Sequence, residues 1–178
     1  YSLNLSTPDS TPVLLTTTDG LIEDQTSVAL SRDLKTLYYC TNAGDIERRH
    51  IWAVPVGGGT PVQVTTGAGI ETYPLPLASG KWLATLSAGW KMPQSVGVWR
   101  LSGGPSTEAA TQKIVFPTSL KTFPADLHVE PQLILTKAPD GLEIHNQLFL
   151  PRDLTPGQRR AALIFVHGDP ARHTLLGY

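Results

Sequence analysis

Apolar and polar residues alternate along the chain in short runs broken by Gly and Pro. No stretch of a dozen residues carries the 3.6-residue apolar period of an amphipathic helix. The pattern predicts a mostly β chain. Thr36–Thr41 reads as a strand around Leu37-Tyr38-Tyr39-Cys40, entered through the turn Ser31-Arg32-Asp33-Leu34-Lys35. A variable loop over 42–49 leads to a strand with Trp52 at its centre. Gly57-Gly58-Gly59 then makes a hairpin turn into Thr60-Pro61-Val62-Gln63-Val64-Thr65-Thr66. Further on, Gln132–Lys137 and an alternating segment over 142–150 flank the turn Ala138-Pro139-Asp140-Gly141, and Pro151 ends the second strand. After a polar loop over 154–160, residues 161–166 form a continuous apolar run, the pattern of a strand buried on both faces.

The first of these units repeats. Thr11-Pro12-Val13-Leu14-Leu15-Thr16-Thr17 returns as the Thr60 segment. Leu30-Ser31-Arg32-Asp33-Leu34-Lys35-Thr36-Leu37 returns as Leu77-Ala78-Ser79-Gly80-Lys81-Trp82-Leu83. Ile51-Trp52-Ala53-Val54 returns as Val98-Trp99-Arg100-Leu101, each followed by a Gly-Gly turn. A third, degraded copy begins at Gly104-Pro105-Ser106-Thr107-Glu108. A four-strand unit with a period in the forties is the mark of a β-propeller blade. The expectation is therefore an incomplete propeller of about two blades, with Trp52 and Trp99 packing between blades. Phe116-Pro117 and Phe123-Pro124 mark a linker where the repeat fades.

Composition narrows the possibilities. Only 16% of residues are charged and the net charge is −1, which argues against nucleic acid or an anionic membrane as partner. No apolar run is long enough for a membrane span. No signal peptide is visible, and the chain opens on Tyr1 rather than Met, so the N-terminus does not separate a periplasmic, secreted or cytoplasmic location. Cys40 is the single cysteine, cannot form an internal disulfide, and reads as a buried structural thiol. Glu143 and His145, two apart on a strand, share one face, but no third metal ligand accompanies them. Gly57-Gly58-Gly59 lacks the Lys-Ser/Thr of a phosphate loop. Nothing in the chain calls for a cofactor.

Candidate chemistry sits at the end of the chain, in Phe165-Val166-His167-Gly168-Asp169-Pro170, followed by Arg172 and Leu175-Leu176-Gly177. A loop of small residues after a buried strand can aim backbone N–H groups at a developing oxyanion, each such donor contributing about 3 kcal/mol to barrier lowering. His167 comes too early in the chain to be the base of a serine triad and reads as a brace for the loop. Arg172 reads as a support for the loop or for a substrate carboxylate, or as a surface residue.

The order of parts resembles the prolyl oligopeptidase family of serine peptidases. The blade repeats over 11–111 are similar to the end of that family's propeller. Residues 138–151 are similar to its first hydrolase hairpin. The segment from Phe165 to Gly177 is similar to its His-Gly-Gly-Pro loop. The resemblance implies two parts. Residues 1–123 would be the C-terminal part of a propeller with WD40-like or TolB-like blades. Residues 124–178 would be the truncated N-terminal part of an α/β-hydrolase domain. The implied activity is hydrolysis of short peptides through an acyl-enzyme, with a peptide substrate as partner. The oxyanion-hole loop would be His167, Gly168, Asp169 and Pro170. Asp169 stands where the family has a second glycine, and a carboxylate there would repel an oxyanion. No Gly-x-Ser-x-Gly elbow occurs in the chain, and Ser79, Ser87, Ser95 and Ser102 read as turn or strand residues. The expectation is a chain that is inactive alone. Two other readings stand beside it: a non-enzymatic TolB-like binding module, and a pseudoenzyme.

Overall fold

The structure, a computed structural model, describes residues 1–23, 25–101, 111–119, 121–168 and 173–177. Ten strands form three antiparallel sheets among the described residues. β1 (Val28–Leu30), β2 (Thr36–Thr41), β3 (His50–Pro55) and β4 (Val62–Gln63) make the first sheet in that order. β5 (Ile70–Pro76), β6 (Trp82–Gly89), β7 (Met92–Arg100) and β8 (Gln112–Phe116) make the second. β9 (Gln132–Lys137) and β10 (Glu143–Leu148) are a separate hairpin. The only helical turns among the described residues are 3₁₀ turns at Gln25–Ser27 and Ala125–Leu127. None of the described helices is long and apolar enough to cross a membrane.

Local sequence explains the turns. In the first sheet the Leu34 N–H donates to the Ser31 carbonyl at 2.9 Å, and Ser31 Oγ and the Lys35 N–H both donate to the Asp33 carboxylate. In the second, the Gly80 N–H donates to the Leu77 carbonyl at 2.9 Å. Leu34 and Gly80 occupy the same place in the two units, and both are left-handed, with φ of 59° and 66°. In the hairpin the Gly141 N–H donates to the Ala138 carbonyl, and Gly141 has φ of 88°. Glycine takes that conformation without steric cost.

The core lies between the two four-stranded sheets. Cys40 pairs across strands with Ile51, and Leu83 with Trp99. These two pairs, one from each sheet, form a single buried cluster flanked by Tyr38, Val64 and Leu101. Trp99 is thus the inter-sheet residue its pattern predicts. Its Nε1 donates to Thr85 Oγ1 at 3.1 Å, and Thr85 meets Ser87 Oγ at 2.8 Å, so the buried polar atoms are satisfied in a chain. Trp52 packs on a second cluster, with Leu15, Tyr39 and Val54.

The mixed architecture expected from the sequence is corrected. The chain does not form an incomplete propeller followed by the opening of an α/β-hydrolase. The described residues are all-β: their small sheets close no ring, and no α-helix lies among them. Residues 161–166 are not a buried strand. They pair with no strand among the described residues, and Leu163, Ile164, Phe165 and Val166 are 83–96% exposed. A strand needs a partner edge for its N–H and C=O groups, and neither β9 nor β10 supplies one here. The degraded third repeat copy falls outside the described residues.

Candidate functional site

The sequence concentrates charge at one place. Asp45-Ile46-Glu47-Arg48-Arg49-His50 carries five ionisable side chains in six residues, in a chain otherwise poor in them. These residues form the tight β2–β3 loop and the start of β3. Asp45 organises the loop: its backbone N–H donates to the Asn42 carbonyl, and its carboxylate accepts the Glu47 N–H and the Arg48 guanidinium, the last at 3.0 Å.

Three of these side chains, Glu47, Arg49 and His50, are buried. Arg49 is 1% exposed; Nη2 donates to Glu23 Oε1 at 2.8 Å and Nη1 to the Arg48 carbonyl at 3.0 Å. Its Nε has no hydrogen-bond partner among the described residues. His50 Nδ1 lies 2.9 Å from Glu71 Oε2, and both residues are buried. The Glu71 N–H also donates to the Arg49 carbonyl at 2.8 Å, tying β5 of the second sheet to β3 of the first. Such groups are tolerable in a dry interior only when paired.

Glu47 faces the other way. Its buried carboxylate pairs with Nδ1 of His145 on β10, and Glu143 Oε1 lies 3.6 Å from the same ring's Nε2. Its main-chain carbonyl accepts the Leu176 N–H at 3.1 Å. Gln147 on β10 donates to the Thr174 carbonyl at 3.0 Å. Gly177 lies so close to the second sheet that a Cβ there would sit 2.8 Å from Ile70 Cδ1 and 3.3 Å from Gly89 Cα. His173 lies in the same cluster. Burial holds its pKa below the ordinary 6.5, and the Arg49 charge pushes the same way, as do His145 and His167; Glu47 opposes them.

The predicted site residues are placed as follows. His167 and Gly168 are exposed, and the His167 ring stands 3.0 Å from the Gly168 carbonyl, a local brace. Asp169, Pro170 and Arg172 lie outside the described residues. Ser79 caps its turn by accepting the Lys81 N–H at 3.3 Å, Ser87 and Ser95 are buried in β6 and β7, and Ser102 is outside the described residues. The pairing of Glu143 with His145 on one face is present, but its third member is the distant Glu47. Sequence reasoning missed Glu47, Arg49, His50, Glu71 and His173. The density of charge over 45–50 was the signal that could have found the first three. Among the described residues no group of three or more His, Cys, Asp or Glu is placed to hold a metal ion. A cavity of about 20 Å³, lined by Thr16, Thr18, Tyr39, Thr41 and Trp52 among others, has room for water and not for a substrate.

No protein-family model and no curated protein sequence matches the chain. Solved structures of the AtxE2 isopeptidase are similar to it. A serine-to-alanine variant with Astexin3-dC4 bound superposes with a TM-score of 0.51 and 16% identity, over 78% of this chain and 21% of that one. The apo form gives 0.51 and 16%, over 77% and 19%. The chain spans about a fifth of the length of those proteins. These findings replace the resemblance to prolyl oligopeptidases drawn from the sequence: no family model supports it, and the described chain has no helix of an α/β-hydrolase. The likeness concerns the fold.

Proposed function

We propose that this chain is part of an enzyme that hydrolyses peptide-type amide bonds through a serine acyl-enzyme, and that it supplies peptide-binding surface and the His167–Gly168 loop rather than the nucleophile. The observation that carries this reading is the fold likeness over more than three quarters of the chain to an isopeptidase seen with a peptide bound. The loop is a second support. His167, Gly168, Asp169 and Pro170 make a short loop whose backbone N–H groups, Pro170 excepted, can serve an oxyanion when the Asp169 carboxylate turns away, and residues 173–177 follow two positions later. Arg172 is then a support for the loop or for a substrate carboxylate. A division of the chain into 1–123 and 124–178 goes with this reading.

Without a Gly-x-Ser-x-Gly element the chain has no activated serine of its own. The expected result for the purified 178-residue protein is binding of short or isopeptide-linked peptides by calorimetry, with no product formed on long incubation. Turnover blocked by a serine-directed inhibitor would place the nucleophile within this chain and overturn its accessory role. Failure to bind any of a set of linear and isopeptide-linked peptides would overturn the peptide reading altogether.

A further inference from the structure

The candidate loop has an unusual means of support. Among the described residues, 161–168 pair with no strand and are exposed throughout. After the loop, Thr174 accepts from Gln147 of the hairpin, and the Leu176 N–H donates to Glu47 of the β2–β3 loop. Leu176 is 8% exposed, and Gly177 fits against Ile70 and Gly89 with no space for a side chain. Glu47 stands at the junction. It belongs to the β2–β3 loop, its carboxylate meets the hairpin at His145, and its carbonyl meets the C-terminal segment at Leu176.

We propose that Glu47 is the positioning residue of the C-terminal segment: its carboxylate on His145 and its carbonyl on the Leu176 N–H clasp hairpin and segment to the first sheet, and so fix where the His167–Gly168 loop lies. The bearing of this clasp on peptide-bond chemistry rests on the function proposed above; the clasp itself does not. A buried carboxylate with a single strong partner is a costly group to keep for packing alone. His145 pairs with Glu47, Glu143 lies beside the same ring, and Arg49, His145 and His167 act with Glu47 on His173; the other charges of the loop and its neighbours are paired among themselves, Arg48 with Asp45, Arg49 with Glu23 and His50 with Glu71.

His173 gives the test a sign. The docked position lowers its pKa by burial and by Arg49, while the Glu47 charge raises it. In Glu47→Gln the amide oxygen still accepts from His145. The segment stays docked, the Leu176 amide stays protected from exchange, and the His173 pKa measured by NMR falls below that of the parent. Glu47→Ala keeps the carbonyl but removes the carboxylate that holds the hairpin, and with it the hairpin's Gln147 from Thr174; the clasp opens, Leu176 protection drops about tenfold or more, and the His173 pKa rises toward 6.5. Opposite movements in the two variants establish positioning. A fall in both, with Leu176 still protected, would show that Glu47 acts through its charge alone and would overturn the proposal. Should Glu47→Ala lose the slowly exchanging amides of β6 and β7, and so its fold, His145→Leu removes the ring's donor and cuts the same contact from the hairpin side. Loss of Leu176 protection there supports the clasp, and parental protection overturns it. None of these measurements uses activity, so their failure is separate from failure of the peptidase reading.

Discussion

Leu83 and Leu163 are the same residue in two opposite situations: the first is fully buried in β6, and the second is 96% exposed. Both sit in apolar runs that read as strands. The difference lies in what stands opposite. Leu83 has Trp99 across the strand and Cys40 and Ile51 across the sheet interface. Leu163 has no paired strand beside it. The two four-stranded sheets bury polar groups as well, because each has a partner: Glu71 with His50, Arg49 with Glu23, Thr85 with Ser87. The hairpin and the run that follows it leave even leucines in contact with solvent, with Leu133, Leu135 and Leu148 between 38% and 49% exposed. Apolar content sets what can be buried, and a complementary surface decides whether it is.

The largest test of this contrast is Glu71→Ala. It strands the buried His50 ring and removes a link between the sheets, and a broken buried pair costs about 3–5 kcal/mol. Urea unfolding followed by tryptophan fluorescence should show that loss. Glu143→Ala, whose side chain is 51% exposed on the hairpin, should stay within about 0.5 kcal/mol. Comparable costs for the two would mean that the charged cluster is not the joint between sheets.

Next is the leucine pair itself. Leu83→Ala opens a cavity in the shared core and should cost about 2–5 kcal/mol. Leu163→Ala should change stability by less than about 0.5 kcal/mol. The exposed run should matter to association instead. An unpaired apolar segment beside a two-stranded hairpin invites edge pairing between molecules. Sedimentation of the 178-residue protein is expected to show oligomers, and Ile164→Lys to shift them toward monomer. A monomeric parent would show that the run is shielded in solution.

The sequence made the local half of this fold legible. Thr36–Thr41 and Gln132–Lys137 have the bounds that alternation and turn residues predict, because both signals are local: a strand period and a turn two to four residues long. The burial of Cys40 and the place of Trp99 followed from the same reasoning. What stayed hidden is non-local. Glu47 and His145 are 98 residues apart, and no pattern along the chain announces that they meet. The cluster at 45–50 looked like an ordinary polar loop because charged loops usually face water. Residues 161–166 failed as a strand for the converse reason: an apolar run shows the wish for burial and carries no information about the surface that would supply it. An architecture inferred from that run and from its likeness to a hydrolase loop therefore went beyond what the run could establish.

The smallest expected effect is the dependence of segment docking on pH. Burial first, then the Arg49 charge, lowers the pKa of His173 in the docked state. Its docked pKa is therefore below 6.5, the value expected once the segment is released. Above that pH both states are neutral at His173 and docking has its full strength. As pH falls below it, the released state takes up the proton first, so docking weakens; once the docked form also protonates, the loss levels off. His173 is partly exposed, so water screens the effect and keeps it small. Leu176 amide exchange, corrected for the intrinsic pH dependence of exchange, should reveal less protection at pH 5 than at pH 7.5, while the β6 and β7 amides hold theirs. In His173→Gln the difference attributable to docking should shrink. If β6 and β7 lose protection in parallel with Leu176, the acid response belongs to the whole sheet pair, and the boundary between the packed sheets and the C-terminal segment is not where stability divides.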